Sequence, residues 1–485
     1  MQRLLTFIHA LGMMLIMFSI TYILPIFTSF IYHDGTLIDF TLAMVMTLAV
    51  GSLMWLLTRH NKGELSIRHG YFLVVMMWTA MPAFATMPLL LLINGLSFTD
   101  AYFETMSGMT TTGATVLTEL DALPPALNFW RHELSWLGGM GIIVLVVAIL
   151  PLLGIGGRQL YKAEIPGPMK EATLAPRIAE TARNLWLVYF CITAACIVSL
   201  KMAGMSWLDA ICHAFTTVGL GGFSTHDASV GYFNSSMIEF VMIIFMLLSA
   251  MNFATHFLVW RKKTLMLYWR DTESLSSIVL LLASCLVIGT FLWWQGVYPS
   301  LWTALRYASF NLVSIAANCG FSSTDFSLWP IFAPLWMLFL SCIAASSGST
   351  GSGIKMIRTL ILIKQAGREF LKLLHPAAVN PLKIGGRVVA DNIVFSVLGF
   401  IFLYFISVVV LTFALVISGL DFLSAFSGIV ACINNVGPAL GILGPASNYG
   451  VLSDFQTWVC TAAMLIGRLE IITVLIIFTP HFWRR

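Results

Sequence analysis

Asp209-Ala210-Ile211-Cys212-His213-Ala214-Phe215-Thr216-Thr217-Val218-Gly219-Leu220-Gly221-Gly222-Phe223-Ser224 is an apolar, helix-like run that ends on glycines among small and polar residues. Weakly similar pieces occur at Asp100–Thr115, Tyr307–Ser322 and Ser424–Ala439. When Gly113, Gly222, Gly320 and Gly437 are aligned, an alanine stands twelve residues before each, at Ala101, Ala210, Ala308 and Ala425. The four glycines are 109, 98 and 117 residues apart. A unit of roughly a hundred residues is therefore used four times: hydrophobic span, short helix, glycine turn, hydrophobic span. Four such units around one axis would bring four backbone turns to one point, the geometry of an ion filter built from main-chain carbonyls.

Composition makes the chain a polytopic membrane protein. Of 485 residues, 59% are hydrophobic and 10% charged, whereas an ordinary globular protein is about 25% charged. No soluble interior could hide so much apolar side chain. The apolar runs often exceed 20 residues, helix length rather than the ten-residue alternation of an outer-membrane barrel. The run from Met1-Gln2-Arg3 to about Tyr32 is too long for a signal peptide and no small-residue cleavage site follows, so it is read as a first span. The eight cysteines lie mostly in apolar context, with no Cys-x-x-Cys pair, and are read as buried small hydrophobes.

Ten spans are expected, at about 5–31, 37–57, 71–94, 130–154, 184–204, 236–260, 276–296, 331–363, 390–418 and 452–480. With the N-terminus inside, 22 of the 26 lysines and arginines fall in inner segments, and only Arg131, Lys201, Arg306 and Arg468 lie elsewhere. That matches the positive-inside rule. Had the four short stretches crossed fully, the basic loops would alternate sides, so these stretches must enter and leave from the outer face. At 1.5 Å per residue, twelve helical residues reach about 18 Å, little more than half the hydrocarbon thickness. Asp100, Asp209 and Asp421 are placed to cap three of these helices. The partly negative C-terminal ends would face the glycine turns and favour a cation there.

Glycine is common in membrane helices as a packing residue, and the chain has 37. These four differ because each lies just past a short helix, among residues that cannot continue it. Non-helical backbone at that depth must line a polar cavity, and glycine permits the positive φ that turns successive carbonyls inward. In the second unit, Thr217-Val218-Gly219-Leu220-Gly221 looks like a potassium-channel filter string and would nominate Gly219. The alanine register and the parallel of Gly222-Phe223-Ser224 with Gly320-Phe321-Ser322 select Gly222 instead.

Residues 346–353 read Ser346-Ser347-Gly348-Ser349-Thr350-Gly351-Ser352-Gly353 inside a predicted span. So flexible and polar a run would unwind the helix near mid-membrane and is read as a gate. Arg468 lies 31 residues after Gly437, as Gly351 does after Gly320, so the two are expected to meet below the turns. An intramembrane arginine is a functional suspect, and Glu470, two positions on, is a poor intrahelical partner. The basic inner segments 155–183, 261–275 and 355–389 are either ordinary positive-inside charge in contact with anionic lipid or a docking surface for a cytosolic partner.

These residues carry a family resemblance. The Thr-Thr-Thr-Gly-Ala-Thr of 110–115, the Gly-Gly-Phe-Ser-Thr-His-Asp of 221–227, the Asn-Cys-Gly-Phe-Ser-Ser-Thr-Asp of 318–325 and the Asn-Asn-Val-Gly-Pro of 434–438 resemble the four filter segments of the bacterial Trk/Ktr potassium transporters, in particular the TrkH/TrkG membrane subunits. The resemblance covers the whole chain. It implies an all-α polytopic protein with four M1-P-M2 repeats in pseudo-fourfold arrangement and two extra N-terminal transmembrane helices. The matching division is 1–70 for the N-terminal pair, then repeats 71–183, 184–275, 276–389 and 390–485.

The family implies potassium uptake across the bacterial inner membrane, with both termini cytoplasmic. Its filter carbonyls fall here on Thr111, Thr112, Gly113, Leu220, Gly221, Gly222, Asn318, Cys319, Gly320, Asn435, Val436 and Gly437. Its pore-obstructing loop falls on 346–353 and its pore arginine on Arg468. K+ would be cargo bound in the filter, and this chain would carry no other cofactor. The expected partners are a second copy in a homodimer, membrane lipid and a cytosolic TrkA-type ring protein that senses NAD or ATP; nothing points to nucleic acid.

The competing class is an ion-coupled solute symporter with broken helices, which such fourfold re-entrant repeats disfavour. An enzyme is disfavoured too, because His132-Glu133 lacks the second histidine of a zinc-protease motif. Glu104, Asp121, Glu133, Glu239 and Asp325 are read either as cation-attracting groups at the outer mouth or as plain surface groups.

Overall fold

The computed structural model describes residues 2–60, 67–141, 178–377 and 380–484. Six described helices are long and apolar enough to cross a membrane, or eight when each of two sharply bent pairs is taken as one span. The described residues are all-α apart from a two-residue antiparallel ladder, Lys383–Ile384 against Arg387–Val388, turned by Gly385 and Gly386. Large apolar side chains lie on the outer faces of the long helices, as at Leu57, Phe395 and Ile417, where hydrocarbon rather than water would meet them.

The first two spans, Leu5–Tyr32 and Leu37–Thr58, form a close pair. Gly12 and Gly51 face each other so tightly that a Cβ on either would lie 2.9 Å from the other's carbonyl oxygen. In lipid, small residues at a crossing gain contact where no hydrophobic drive is available. Trp130 docks this pair onto the remaining chain: its ring stacks on Tyr22 at 4.5 Å and its Nε1 donates to Ala85 O.

Four short helices lie among the spans: Phe98–Met109, Trp207–Gly219, Leu301–Ala316 and Phe422–Ile433. The expected aspartate caps need correcting at two of them. Ser97 and Ser206 are the N-caps, accepting from the amides of Asp100 and Asp209, and their hydroxyls donate to those same carboxylates at 2.7 Å. Asp421 alone of the three is itself the cap, accepting from Ser424 N at 3.0 Å. The serine hydroxyl satisfies an orphan amide of the first turn, and the aspartate carboxylate accepts that hydroxyl's proton and fixes its direction.

The spans that follow these helices break more often than expected. The break at 346–353 lies between Phe332–Ile343 and Met356–Leu374. Two spans expected to be continuous are also broken: Ser236–Ala250 turns by 95° into Phe253–Lys262, and Asp454–Arg468 turns by 113° into the helix from Ile471 to Phe478. Hydropathy misses both because each bend takes only two residues, Met251-Asn252 and Leu469-Glu470, inside a stretch that stays apolar on average. What permits the first is partners for the freed backbone groups: Ser346 N donates to Ala250 O and Phe253 N to Gly348 O, each at 3.0 Å. The fourth expected span starts as Pro125–Met140. Its remainder, and most of the basic loop 155–183, lie outside the described residues.

Candidate functional site

Each short helix ends in the same way. A left-handed residue stands at or just past its C-cap: Thr111 (φ 54°), Leu220 (φ 56°), Asn318 (φ 65°) and Asn435 (φ 54°). The next amide then reaches back to the helix, from Thr112 to Ser107 O, Gly221 to Thr216 O, Cys319 to Ser314 O and Val436 to Ala431 O, all at 2.8 Å. This is the Schellman closure, repeated four times with a non-glycine at its left-handed position. Glycine follows two residues later, also at positive φ: Gly113 (78°), Gly222 (65°), Gly320 (96°) and Gly437 (88°). Gly219 lies within its helix instead.

The four turns close into a ring. A Cβ on Gly113 would sit 2.3 Å from Gly221 O, on Gly222 2.2 Å from Cys319 O, on Gly320 1.9 Å from Val436 O, and on Gly437 2.6 Å from Thr112 O. Every glycine thus abuts the carbonyl that precedes the next unit's glycine, and the fourth returns to the first. No side chain fits at any of these places. The turns are almost fully buried, yet of their twelve carbonyls only that of Gly437 accepts a hydrogen bond among the described residues, from the Tyr449 hydroxyl at 2.7 Å. Buried carbonyls are rarely left unpaired. A ring of them is suited to a desolvated cation.

Side chains that sequence reasoning did not single out brace the ring from behind. Asn318 Nδ2 donates to Ser341 O and Asn434 O, while Asn435 Nδ2 donates to Thr112 Oγ1 and Met464 O. Tyr404 donates to Asn434 Oδ1 at 2.9 Å. Arg131 is buried against Glu104 at 2.8 Å, lies over the Phe223 ring at 4.5 Å, and donates to Ser224 O at 3.4 Å. Arg131 carried a signal, being one of four cations off the inner segments. Its acidic partner was invisible because the pairing joins residues 27 apart.

The outer-mouth reading of the acids fails for three of five. Glu104, Glu133 and Glu239 are buried, and Glu239 holds Arg306 at 2.7 Å. A buried acid is not a surface group, and one held by a guanidinium, as Glu104 is by Arg131 and Glu239 by Arg306, is no lure for cations. Asp325 caps the short turn Phe326–Leu328. Asp121 is exposed and binds His226 Nδ1, whose Nε2 lies 3.5 Å from Asp209. Burial would lower the His226 pKa, but hydrogen bonds and charge from Asp209 and Asp121 outweigh it and raise it above the ordinary 6.5. The imidazole also stacks on Tyr232 at 3.5 Å, so this clamp ties the segment beyond Gly222 to the 119–122 turn.

Below the ring runs the broken segment. Ser347 N and Ile357 N both donate to Glu273 Oε1, at 2.6 and 3.1 Å. Ser349 Oγ donates to Ser346 O, and Thr350 Oγ1 donates to Val218 O at 3.2 Å. A Cβ on Gly351 would lie 3.3 Å from Asn318 Oδ1, and one on Gly353 3.2 Å from Asn434 Oδ1, so the segment passes against the third and fourth turns. Ser352 is buried, and Gly348 packs on Asn252, the cap of the bent helix.

Arg468 joins the two levels. Its Nη1 donates to Thr350 O at 2.8 Å and Thr111 Oγ1 at 3.1 Å, and its Nη2 donates to Gly139 O at 2.9 Å and also to Gly138 O. Glu470 is not its partner but pairs with Arg358 at 2.8 Å. Lys355, buried at the end of the broken segment with φ 75°, was also missed. The cysteines form no disulfide among the described residues; Cys191 is exposed rather than buried, and Cys342 is partly so.

The family model described as TrkH, cation transport protein, matches residues 37–485. The chain is 45% identical over 474 residues to the Trk system potassium uptake protein TrkH of Salmonella typhimurium, covering 98% of each. It is 39% identical over 477 residues to the Trk system potassium uptake protein TrkG of Escherichia coli, again covering 98% of each. The crystal structure of the potassium transporter TrkH from Vibrio parahaemolyticus superposes with a TM-score of 0.90 at 42% identity, covering 99% of this chain and 100% of that one.

Proposed function

The chain belongs to the TrkH family of cation transport proteins, and from that premise we propose that it is the potassium-conducting membrane subunit of a bacterial uptake system. As a member of that family it is a multi-pass inner-membrane transport protein and not an enzyme. In this reading the carbonyls of 111–113, 220–222, 318–320 and 435–437 replace the water shell of K+. The segment 346–353, held by Arg468, closes the path beneath them. The four repeats are 71–183, 184–275, 276–389 and 390–485, after an N-terminal pair at 1–70. The basic inner segments dock a cytosolic TrkA-type protein whose NAD- or ATP-binding domains control opening, and the subunit works as a homodimer in lipid.

The observation that carries the filter reading is the closed ring of four glycines, each against the next unit's carbonyl. Four backbone dipoles converging in a low-dielectric site stabilise a bare cation strongly. The test is rubidium and sodium influx into proteoliposomes for the intact protein and for Gly113→Ser, with the cytosolic partner absent and then added. A strong preference for rubidium, weakened by the substitution, is expected. Fluxes of both ions that ignore Gly113→Ser would remove this glycine from the path and the ring argument with it.

A further inference from the structure

The four turns are alike in backbone but not in what stands behind them. Tyr449 lies twelve residues beyond Gly437, and the residues twelve beyond the other glycines are Pro125, Asn234 and Phe332, none of them a phenol. Its hydroxyl donates to Gly437 O at 2.7 Å. No described residue donates to the carbonyls of Gly113, Gly222 or Gly320. The ring is 2% exposed and packs on Phe103 with centroids 5.4 Å apart. Its amide donates to Thr115 O at 2.8 Å, and a Cβ on the neighbouring Gly450 would lie 3.1 Å from Val116 O. Tyr449 is thereby pinned by its own backbone to the first unit while its hydroxyl holds the fourth.

We propose that Tyr449 is a positioning residue that withholds the Gly437 carbonyl from the ion, so that the glycine layer presents three free carbonyls rather than four. This rests on the filter reading given above. A dehydrated monovalent cation is held by the number and field strength of the dipoles around it. A carbonyl that accepts a phenol proton offers the ion one lone pair fewer, and the positive end of the O–H dipole opposes the ion. The result is a looser layer at the outer end of the turns, which favours release to the next site over retention. Conduction needs binding weak enough to leave.

The test uses the full-length protein in proteoliposomes and the concentration dependence of rubidium influx. Tyr449→Phe keeps the ring and removes the donor, so the apparent KM for rubidium is expected to fall about five-fold, the weight of one neutral hydrogen bond, with no rise in the maximal rate. Site-specific 3-fluorotyrosine, a stronger donor of nearly the same size, is expected to raise the KM, and it carries the test if the phenylalanine variant fails to fold. A KM within two-fold of the parent for every variant that folds would overturn the proposal. Gly437→Ala separates the two levels, because its Cβ would lie 2.6 Å from Thr112 O. If it disturbs ion preference while the Tyr449 variants leave KM alone, Tyr449 is only a brace and this proposal alone falls. If Gly437→Ala changes nothing, the filter reading falls with it.

Discussion

Replacing Arg468 with methionine keeps the apolar stem and removes the guanidinium. Among the described residues, four hydrogen bonds go with it, to Thr350 O, Thr111 Oγ1, Gly138 O and Gly139 O. Of these four, the first reaches the broken segment. The other three acceptors lie in the first unit, so those bonds are lost equally whether that segment is in place or displaced. The closed state therefore loses one charge-assisted hydrogen bond relative to the open one, about 1.5–3 kcal/mol. The remaining ties, from Ser346 to Ala250, Ser347 to Glu273, Thr350 Oγ1 to Val218 and Phe253 to Gly348, are unaffected. The segment should stay mostly closed, but its open fraction should rise about 12- to 150-fold. The assay is rubidium influx into proteoliposomes without any cytosolic partner, alongside thermal melting to establish that the variant is folded. Partner-independent flux is expected to rise by that factor. A folded Arg468→Met protein with unchanged basal flux would show that the Thr350 contact does not hold the path shut.

The glycine ring predicts a graded series in the rubidium-to-sodium flux ratio: alanine should do most harm at Gly320, then Gly222, Gly113 and Gly437, following Cβ approaches of 1.9, 2.2, 2.3 and 2.6 Å. Gly419 has φ +98° with open space around it, so Gly419→Ala should cost about 1–2 kcal/mol of backbone strain and leave the ratio alone; equal loss there and at Gly320 would refute the ring contact as the cause. The His226 clamp predicts a pH dependence of the melting temperature. The folded pKa is raised, so the stabilisation is complete below the ordinary 6.5 and is lost as pH rises through the raised value. On the acid side, burial would raise the Asp121 pKa, but its contacts with His226 and the Asp227 amide hold it below the ordinary 3.8, so its share is lost only as pH falls below that range. Melting temperature should decline above about pH 6.5 more steeply in the parent than in His226→Gln; parallel curves would exclude the clamp.

Much of this protein is written in local sequence. Apolar runs of helix length, basic residues on alternate loops and a fourfold glycine–alanine register act through a residue's own hydration or its own dihedral angle, and such terms can be read one position at a time. The left-handed angle at Gly222 but not at Gly219 is of this kind. The serine caps at Ser97 and Ser206 were equally local and were passed over in favour of the aspartates beside them. Tertiary structure decided the rest. Whether an apolar span stays straight or breaks, as after Ala250, depends on whether a segment about a hundred residues away supplies donors and acceptors to the freed backbone. Glu104 with Arg131 and Glu470 with Arg358 became ion pairs only once distant helices were side by side. The same holds for the hydroxyl of Tyr449 on Gly437. Sequence determined which residues could turn inward, and packing determined which carbonyl each of them meets, because a buried polar group is stable only when its partner arrives from elsewhere in the chain.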